Sequence, residues 1–238
     1  EDSAARVAYD LFRPLFDLSS LAPLMRMVDR IDGGKITKEE FLSDDPVLWL
    51  SHTVSASDAE YTLGLLDWLV EGRELESIMA EPAVQERVEQ KRRDRDEVRG
   101  LLAENGEVVD RLAVVRLQGT GHRTNGYLVT AHFGEACDAC LIMHGDIDGQ
   151  LGDRDRWPLA ASFYTNSFLH PDGGVFDLTQ MATLFDTHGG GHANACGCRM
   201  MPIGDAGELE ERGLDTEDVE RNLSGWMRVW TSRAQRSS

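Results

Sequence analysis

The residue types best suited to chemistry lie together in the segment 187–199, which reads THGGGHANACGCR. Three consecutive glycines, Gly189, Gly190 and Gly191, run into His192. Glycines let backbone N–H groups turn toward one point and let a ligand approach the main chain. A histidine at the end of such a loop can donate a hydrogen bond to an anion. The segment therefore predicts an anion-binding site, and its further candidate ligands are His188, Asn194 and Arg199.

The elements on either side must position this segment. Apolar residues at helical spacing in 176–185 (FDLTQMATLF) predict a helix that ends at the glycines. Downstream, 193–201 alternates as a buried strand does. Because glycine-rich loops are also common turns, a plain α/β domain in which the glycines form only a turn stays open as an alternative.

The run FDLTQMATLFDTHGGGHANACG resembles the GGGH signature of the DHHA1 domain, the C-terminal half of DHH-superfamily phosphoesterases. In that family this domain supplies the substrate-binding wall, while two metal ions lie in a separate DHH domain. The resemblance implies hydrolysis of a phosphoester or phosphoanhydride bond, of the oligoribonuclease or exopolyphosphatase kind. The implied substrates are short oligonucleotides, bisphosphonucleotides, cyclic dinucleotides, single-stranded DNA or polyphosphate. His192 would hold the phosphate as the catalytic residue of this chain.

The first part of the chain extends the resemblance. Residues 3–16 (SAARVAYDLFRPLF) form an amphipathic helical pattern, whose apolar face we expect to pack in the core. A similar helix follows the Asp-His-His triplet in the DHH family. The Asp-His-His triplet does not occur in the 238 residues, and the chain begins with Glu1. We therefore expect it to be a fragment or a processed product.

A metal ligand is implied at the end of an apolar segment in 20–31 (SLAPLMRMVDRI). In the family an aspartate at such a place is the last metal ligand of the DHH domain, which makes Asp29 the first choice and Asp32 the second. Carboxylates suit Mn²⁺ or Mg²⁺, the cofactor that the resemblance implies. By themselves, two aspartates beside a glycine turn are as typical of turns and helix caps.

One departure from the family pattern concerns phosphate binding. The strand before the GGGH helix usually ends in a Ser-x-Arg-Ser-like sequence whose arginine contacts the substrate phosphate. Here 161–166 reads ASFYTN, so Tyr164 or Asn166 takes that place. An aromatic ring can stack on a base but cannot neutralise a phosphate.

The four cysteines form two close pairs, which indicates a zinc site as a minor alternative. The pairs are Cys137 with Cys140 and Cys196 with Cys198. Against zinc, free cysteine is a common small core residue in apolar strands. The remaining histidines are interpreted as ordinary packing or surface residues: His52, His122, His132, His144 and His170.

Composition limits the class of partner. The net charge is −18 with only three lysines, and such a surface repels long nucleic acid, whose binding requires the neutralisation of many phosphates. A short phosphate-containing substrate in a locally positive site is still allowed. No apolar run has the length of a membrane span, and nothing resembles a secretory signal. We expect a cytoplasmic protein that binds neither long DNA nor membrane, and a homodimer or larger assembly is compatible with the sequence.

The predicted fold class is α/β: the helical end of a DHH domain followed by a DHHA1-type mixed-sheet domain. We expect the first domain over 1–80, a charge-dense helical linker over 81–104, and the substrate-binding domain over 105–238. The substrate cleft is expected at the domain junction.

The secondary structure within these domains is predicted in the same way. Strands are expected over 108–117, 140–143, 157–163 and 194–201. Helices are expected over 61–75, 126–135, 177–185, 208–212 and 216–229, with an irregular segment over 38–54.

Four functions fit the sequence. The first is a metal-dependent phosphoesterase to which this chain contributes the substrate-binding part. The second is a catalytically inactive relative that acts as a binding or assembly subunit, which the absent triplet, the lost arginine and the acidic surface favour. A zinc-stabilised binding module and a plain α/β domain complete the set.

Overall fold

The computed structural model describes residues 3–55, 58–153 and 156–233. The chain divides into two compact units, Glu1–Glu97 and Val98–Ser238. The described residues of the first unit form helices and connecting segments without a strand, and the second unit contains a six-stranded mixed sheet. The predicted mixed-sheet α/β fold class is therefore confirmed.

Seven α-helices begin in the described part of the first unit. Their bounds are α1 Ala4–Phe12, α2 Ala22–Asp32, α3 Lys38–Phe41, α4 Pro46–Thr53, α5 Ala59–Val70, α6 Leu75–Met79 and α7 Pro82–Asn105. The charge-dense stretch forms α7, and the division between the units falls within this helix.

The irregular segment expected over 38–54 is wrong, because it contains two capped helices. Thr37 and Glu40 form a capping box at the start of α3. Asp45 accepts hydrogen bonds from the N–H groups of Val47 and Leu48 and so caps α4, whose first residue is Pro46. The Asp-Pro pair thus starts a helix, since proline tolerates the first helical position.

The core of the first unit lies between α4, α5, α6 and α7. It is formed by a cluster of buried residues, namely Trp49, Leu50, Tyr61, Leu65, Ile78, Val84 and Val88. The expected core packing of α1 is wrong, because no residue of that helix is buried. Its apolar residues Val7 and Leu11 are 60% and 66% exposed.

The strands of the second unit are β1 Gly106–Val109, β2 Leu112–Arg116, β3 Ala139–His144, β4 Ala160–Thr165, β5 Gly190–His192 and β6 Ala195–Arg199. Their order in the sheet is β1-β2-β3-β4-β6-β5. Strands β2 and β3 are parallel, and every other neighbouring pair is antiparallel. Three further helices are α8 Gly126–Phe133, α9 Thr179–Ala182 and α10 Thr216–Thr231.

The two faces of this sheet are covered differently. On one face, Leu141, Phe163 and Cys196 join a buried cluster with Met181 of α9 and the tryptophans of α10. The rings of Phe163 and Trp226 meet edge to face, with centroids 5.4 Å apart. On the other face, α8 packs against β2, β3 and β4. Strands β6 and β5 lie beyond β4 at one edge.

Several predicted elements differ in detail. The single strand expected over 108–117 is a hairpin that turns at Asp110 and Arg111, both with positive φ. The helix expected over 177–185 is shortened to the single turn α9, and 208–212 is not helical. The helices expected at 126–135 and 216–229 form as α8 and α10. None of the described helices is both long and apolar enough to cross a membrane.

Candidate functional site

Most of the glycine run forms a strand at the edge of the sheet, so the expectation of a loop is wrong. Strand β5 pairs antiparallel with β6 through a two-residue turn at Ala193 and Asn194. Gly190 and Gly191 have φ of 154° and 140°, a region that residues with a Cβ rarely adopt. Glycine is therefore required for the backbone conformation of the strand.

Strand geometry decides where the glycine N–H groups point. The Thr165 N–H donates to the Asn194 carbonyl at 2.9 Å, so Asn194 is bonded toward β4. Because bonding direction alternates along a strand, Ala195 and Gly197 bond toward β5, to their partners His192 and Gly190. The N–H and C=O of Gly191 then point away from β6, to the free edge. The glycine N–H groups do not converge on one point.

Asp186 organises the turn before this strand. Its carboxylate accepts hydrogen bonds from the His188 N–H at 3.0 Å and from the Arg199 N–H at 3.0 Å. It also forms a two-point ion pair with the Arg199 guanidinium, at 3.0 and 2.7 Å. The hydrogen bond from the Arg199 side chain holds the pKa of Asp186 well below its usual range. Arg199, a predicted phosphate ligand, is thus already paired with a buried carboxylate.

Sequence reasoning missed Asp186. An aspartate that bonds the N–H two residues later is typical of an Asx turn, and the sequence Asp-Thr-His contains that signal. Its pairing with Arg199, thirteen positions along the chain, depends on the hairpin between them.

Asn194 also has a structural contact set. Its side-chain oxygen accepts hydrogen bonds from the Gly174 N–H at 2.9 Å and from the Thr165 hydroxyl at 3.1 Å. These bonds hold the end of β4 and the loop before α9 to the β5–β6 turn. The predicted substrate-binding role of Asn194 stays a prediction.

The imidazole rings of His188 and His192 are exposed. Neither ring has a hydrogen bond or an ion pair with any other residue that the structure describes. His192 ends β5, directly after the outward-pointing Gly191 amide. Of the predicted anion ligands, these two histidines and Gly191 are available to a ligand at this edge.

The register of the sheet places His192 and Tyr164 on the same face. Ala195 lies opposite both residues, His192 in β5 and Tyr164 in β4. Directly opposed residues share a face, and strands are about 4.8 Å apart, so the two Cα atoms are about 10 Å apart. Both side chains therefore border the exposed residue Ala195.

Tyr164 is one of the two candidates for the position where the resemblance expects an arginine. It is half-buried beside Gly126, the first residue of α8, where an added Cβ would come within 2.4 Å of the tyrosine ring. Burial raises the pKa of Tyr164, which also has a hydrogen bond with Ser162. Asn166, the other candidate, is 1% exposed and donates to the carbonyls of Gly134 and Cys137. Of the two, only Tyr164 presents a surface to solvent.

The two metal candidates lie in the first unit, on α2. Asp29 accepts hydrogen bonds from the Ser3 hydroxyl at 3.0 Å and from the Arg6 Nε at 2.9 Å, and both of its oxygens are engaged. Asp32 is exposed at the end of the helix. The described residues contain no group of three or more His, Cys, Asp or Glu side chains that could hold a metal ion. These residues by themselves do not fit a Mn²⁺ or Mg²⁺ site.

The four cysteines are free and are not brought together. Cys140 lies opposite Tyr164, whereas Cys196 lies opposite Phe163, so the two cysteines are on opposite faces of the sheet. Burial raises the pKa of Cys137 to about 11 and the pKa values of Cys196 and Cys198 to about 12. Four thiolates on two faces cannot share one ion, and the geometry does not support the zinc interpretation.

A second buried carboxylate lies at the end of the sheet where β3 begins. Asp138 forms a two-point ion pair with Arg111, at 2.7 and 2.6 Å, and a hydrogen bond with His170 at 2.9 Å. These bonds hold the loop after β4 against the β1–β2 turn. His170 is thus a packing residue, as the sequence indicates.

Comparison with known proteins adds a fold relationship. No family model matches the sequence, and neither does any curated protein. Among solved structures, the chain resembles the pGpG-specific phosphodiesterase PggH from Vibrio cholerae. The TM-score is 0.70 over 97% of this chain and 74% of that protein, at 18% identity. They share a fold.

At this identity the likeness to PggH establishes the fold alone. A second structure, an uncharacterized protein from Helicobacter pylori G27, has 12% identity and covers 95% of this chain and 67% of that one. Its TM-score is 0.32, too low to support an argument.

Proposed function

We propose that this chain provides the substrate-binding part of a phosphodiesterase that acts on a short, phosphate-containing nucleotide. The observation that carries the proposal is the fold shared with a pGpG-specific phosphodiesterase over 97% of the chain. The GGGH signature lies at the edge strand of that fold, where His192 is exposed. Fold and motif therefore favour the same class of reaction.

The chemistry that we assign to this edge is the binding and orientation of a phosphate. The His192 imidazole donates a hydrogen bond to a phosphate oxygen, and the outward N–H of Gly191 donates a second one. The exposed ring of His188 stands two residues before β5 and is available to a further oxygen. Donors fixed in this way stabilise negative charge that grows on the phosphate during hydrolysis.

The proposed dependence on Mn²⁺ or Mg²⁺ requires ligands other than the two candidates on α2. Both oxygens of Asp29 are engaged by Ser3 and Arg6, and Asp32 has no grouped partner among the described residues. A divalent ion supplies an activated water in hydrolases of this kind. We assign no step of the reaction to such an ion on this chain.

The alternative is an inactive relative that binds the same ligands without cleaving them. The engaged Asp29 and the absence of the arginine that the resemblance expects in 161–166 favour it. The two candidates share the binding edge and differ only in turnover.

One assay separates them. The purified protein is incubated with pGpG, a cyclic dinucleotide and polyphosphate, each with Mn²⁺ or Mg²⁺, and the products are separated by chromatography. Binding is measured in parallel by calorimetry. Cleavage of a nucleotide supports the phosphodiesterase, and binding without cleavage supports the inactive relative. A protein that neither binds nor cleaves any of them contradicts both.

A further inference from the structure

The first step concerns the charge on the sheet face that carries His192. Arg199 lies on the same face as Ala195 and Gly197, because it is two and four residues from them in β6. Its guanidinium is paired with the buried Asp186. Both candidates for the position where the resemblance expects an arginine, Tyr164 and Asn166, are uncharged. Neither Arg199 nor Tyr164 therefore offers a free positive charge to a chain of phosphates.

The second step concerns what Tyr164 offers instead. The ring is braced on one side by Gly126, which has no side chain and is buried against it. Its hydroxyl is held by Ser162. The ring is thus packed against α8, half-buried, and separated from His192 only by the small residue Ala195. A fixed aromatic ring is a surface on which a nucleobase stacks, whichever base it is.

We infer that Tyr164 is a specificity-determining residue that stacks on a nucleobase of the substrate while His192 holds the adjacent phosphate. The inference rests on the proposed function and restricts it, because it selects nucleotides over polyphosphate. Two strand spacings leave about 10 Å between the Cα atoms of Tyr164 and His192, and a nucleoside spans this distance. The stacking energy depends little on which base is bound, so this contact does not discriminate between the two purines.

Equilibrium binding without turnover tests the inference. Calorimetry in EDTA measures the affinity of the wild-type protein for two probes, pGpG and tripolyphosphate. We expect pGpG to bind at least about tenfold more tightly than tripolyphosphate, because base stacking on an aromatic residue contributes that much affinity. Tyr164→Leu should weaken pGpG binding by about tenfold and leave tripolyphosphate binding unchanged. Tyr164→Arg should strengthen tripolyphosphate binding, since it restores a cation.

Two further variants complete the design. Tyr164→Phe keeps the ring and should retain most of the affinity for pGpG, while His192→Ala should weaken both probes. Thermal melting of each variant shows whether the second unit is folded.

The outcomes separate the two ideas. If the wild-type protein binds neither probe, both in EDTA and with Mn²⁺ added, the proposed function fails. If it binds pGpG but Tyr164→Leu weakens both probes equally, or neither, the stacking role is wrong while the proposed function stands. Equal wild-type affinity for the two probes also overturns the stacking role.

Discussion

The carboxylate of Asp186 binds both the guanidinium and the backbone N–H of Arg199, across the hairpin that carries the glycine run. The Asp186 side chain is 3% exposed and the Arg199 side chain is 58% exposed. The pair thus fixes the last residue of β6 to the turn that leads into β5. It positions His188 and the edge strand without offering Arg199 as a free cation.

Removal of the Asp186 charge should destabilise this edge. In Asp186→Asn the buried side chain keeps its shape but presents an amide to donors that need an acceptor. We expect the free energy of unfolding to fall by about 2–3 kcal/mol, measured by urea denaturation. The value stays below that of a fully buried pair because Arg199 can regain water. The control Asp172→Asn, at an exposed position, should change the free energy of unfolding by less than about 0.5 kcal/mol. An unfolding free energy for Asp186→Asn equal to that of the control would contradict this account.

Two adjacent glycines should differ in their tolerance of alanine. A Cβ at Gly191 would lie 2.6 Å from the Ala195 carbonyl oxygen and 2.8 Å from the Cys196 Cα. A Cβ at Gly190 would meet no atom within 4 Å, although φ is also positive there. Gly190→Ala therefore adds backbone strain alone, of about 1–3 kcal/mol, and Gly191→Ala adds a backbone clash to it.

Thermal melting compares the two glycine variants. The melting temperature should fall further for Gly191→Ala than for Gly190→Ala. Gly213→Ala is the control, since it has neither a close neighbour nor a positive φ. The reverse order of the two variants would show that β5 does not have this register.

Protonation of His144 should make the protein less stable in mild acid. Burial and, to a smaller extent, the charge of Arg123 lower its pKa to about 4. The ordinary histidine pKa is about 6.5, so between these values the unfolded chain binds a proton that the folded chain does not. Stability is therefore full above about pH 6.5 and is lost as the pH falls toward 4.

The size of this effect follows from the same linkage. Between about pH 7 and about pH 5, it amounts to about 2 kcal/mol of unfolding free energy. Urea denaturation at the two pH values measures it, and His144→Gln should remove most of the difference. A wild-type unfolding free energy that does not change between these pH values would show that His144 is not buried in its neutral form.

The sequence predicted those features that depend on local pattern. The periodic apolar residues of α8 and α10 sufficed to predict both helices. The sequence pattern failed where contacts between residues distant in sequence determine the local structure. Residues with positive φ at Asp110 and Arg111 turn one predicted strand into a hairpin without a glycine signal.

The glycine strand shows the same limit. Three glycines are typical of a loop, and only pairing with β6 makes Gly190 and Gly191 extended. Likewise, the apolar pattern of α1 predicted a buried face, but the pattern does not state what covers it, and no residue of α1 is buried. Arginine is a common phosphate ligand, which made Arg199 a reasonable candidate. Its ion pair with Asp186 depends on the folded hairpin, so the sequence pattern does not reveal it.

The last prediction concerns His192. In the proposed role its imidazole contacts the ligand alone, because the ring has no hydrogen bond or ion pair with the residues that the structure describes. His192→Ala should therefore lower nucleotide cleavage or binding by about ten- to a hundredfold, as the loss of one charge-assisted hydrogen bond does. The melting temperature should stay within about 1 °C of the wild-type value, since an exposed strand-end side chain contributes little to stability. His188→Ala, the neighbouring exposed histidine, tests whether the effect belongs to this position. Unchanged binding together with a large fall in melting temperature would make His192 a structural residue of the hairpin.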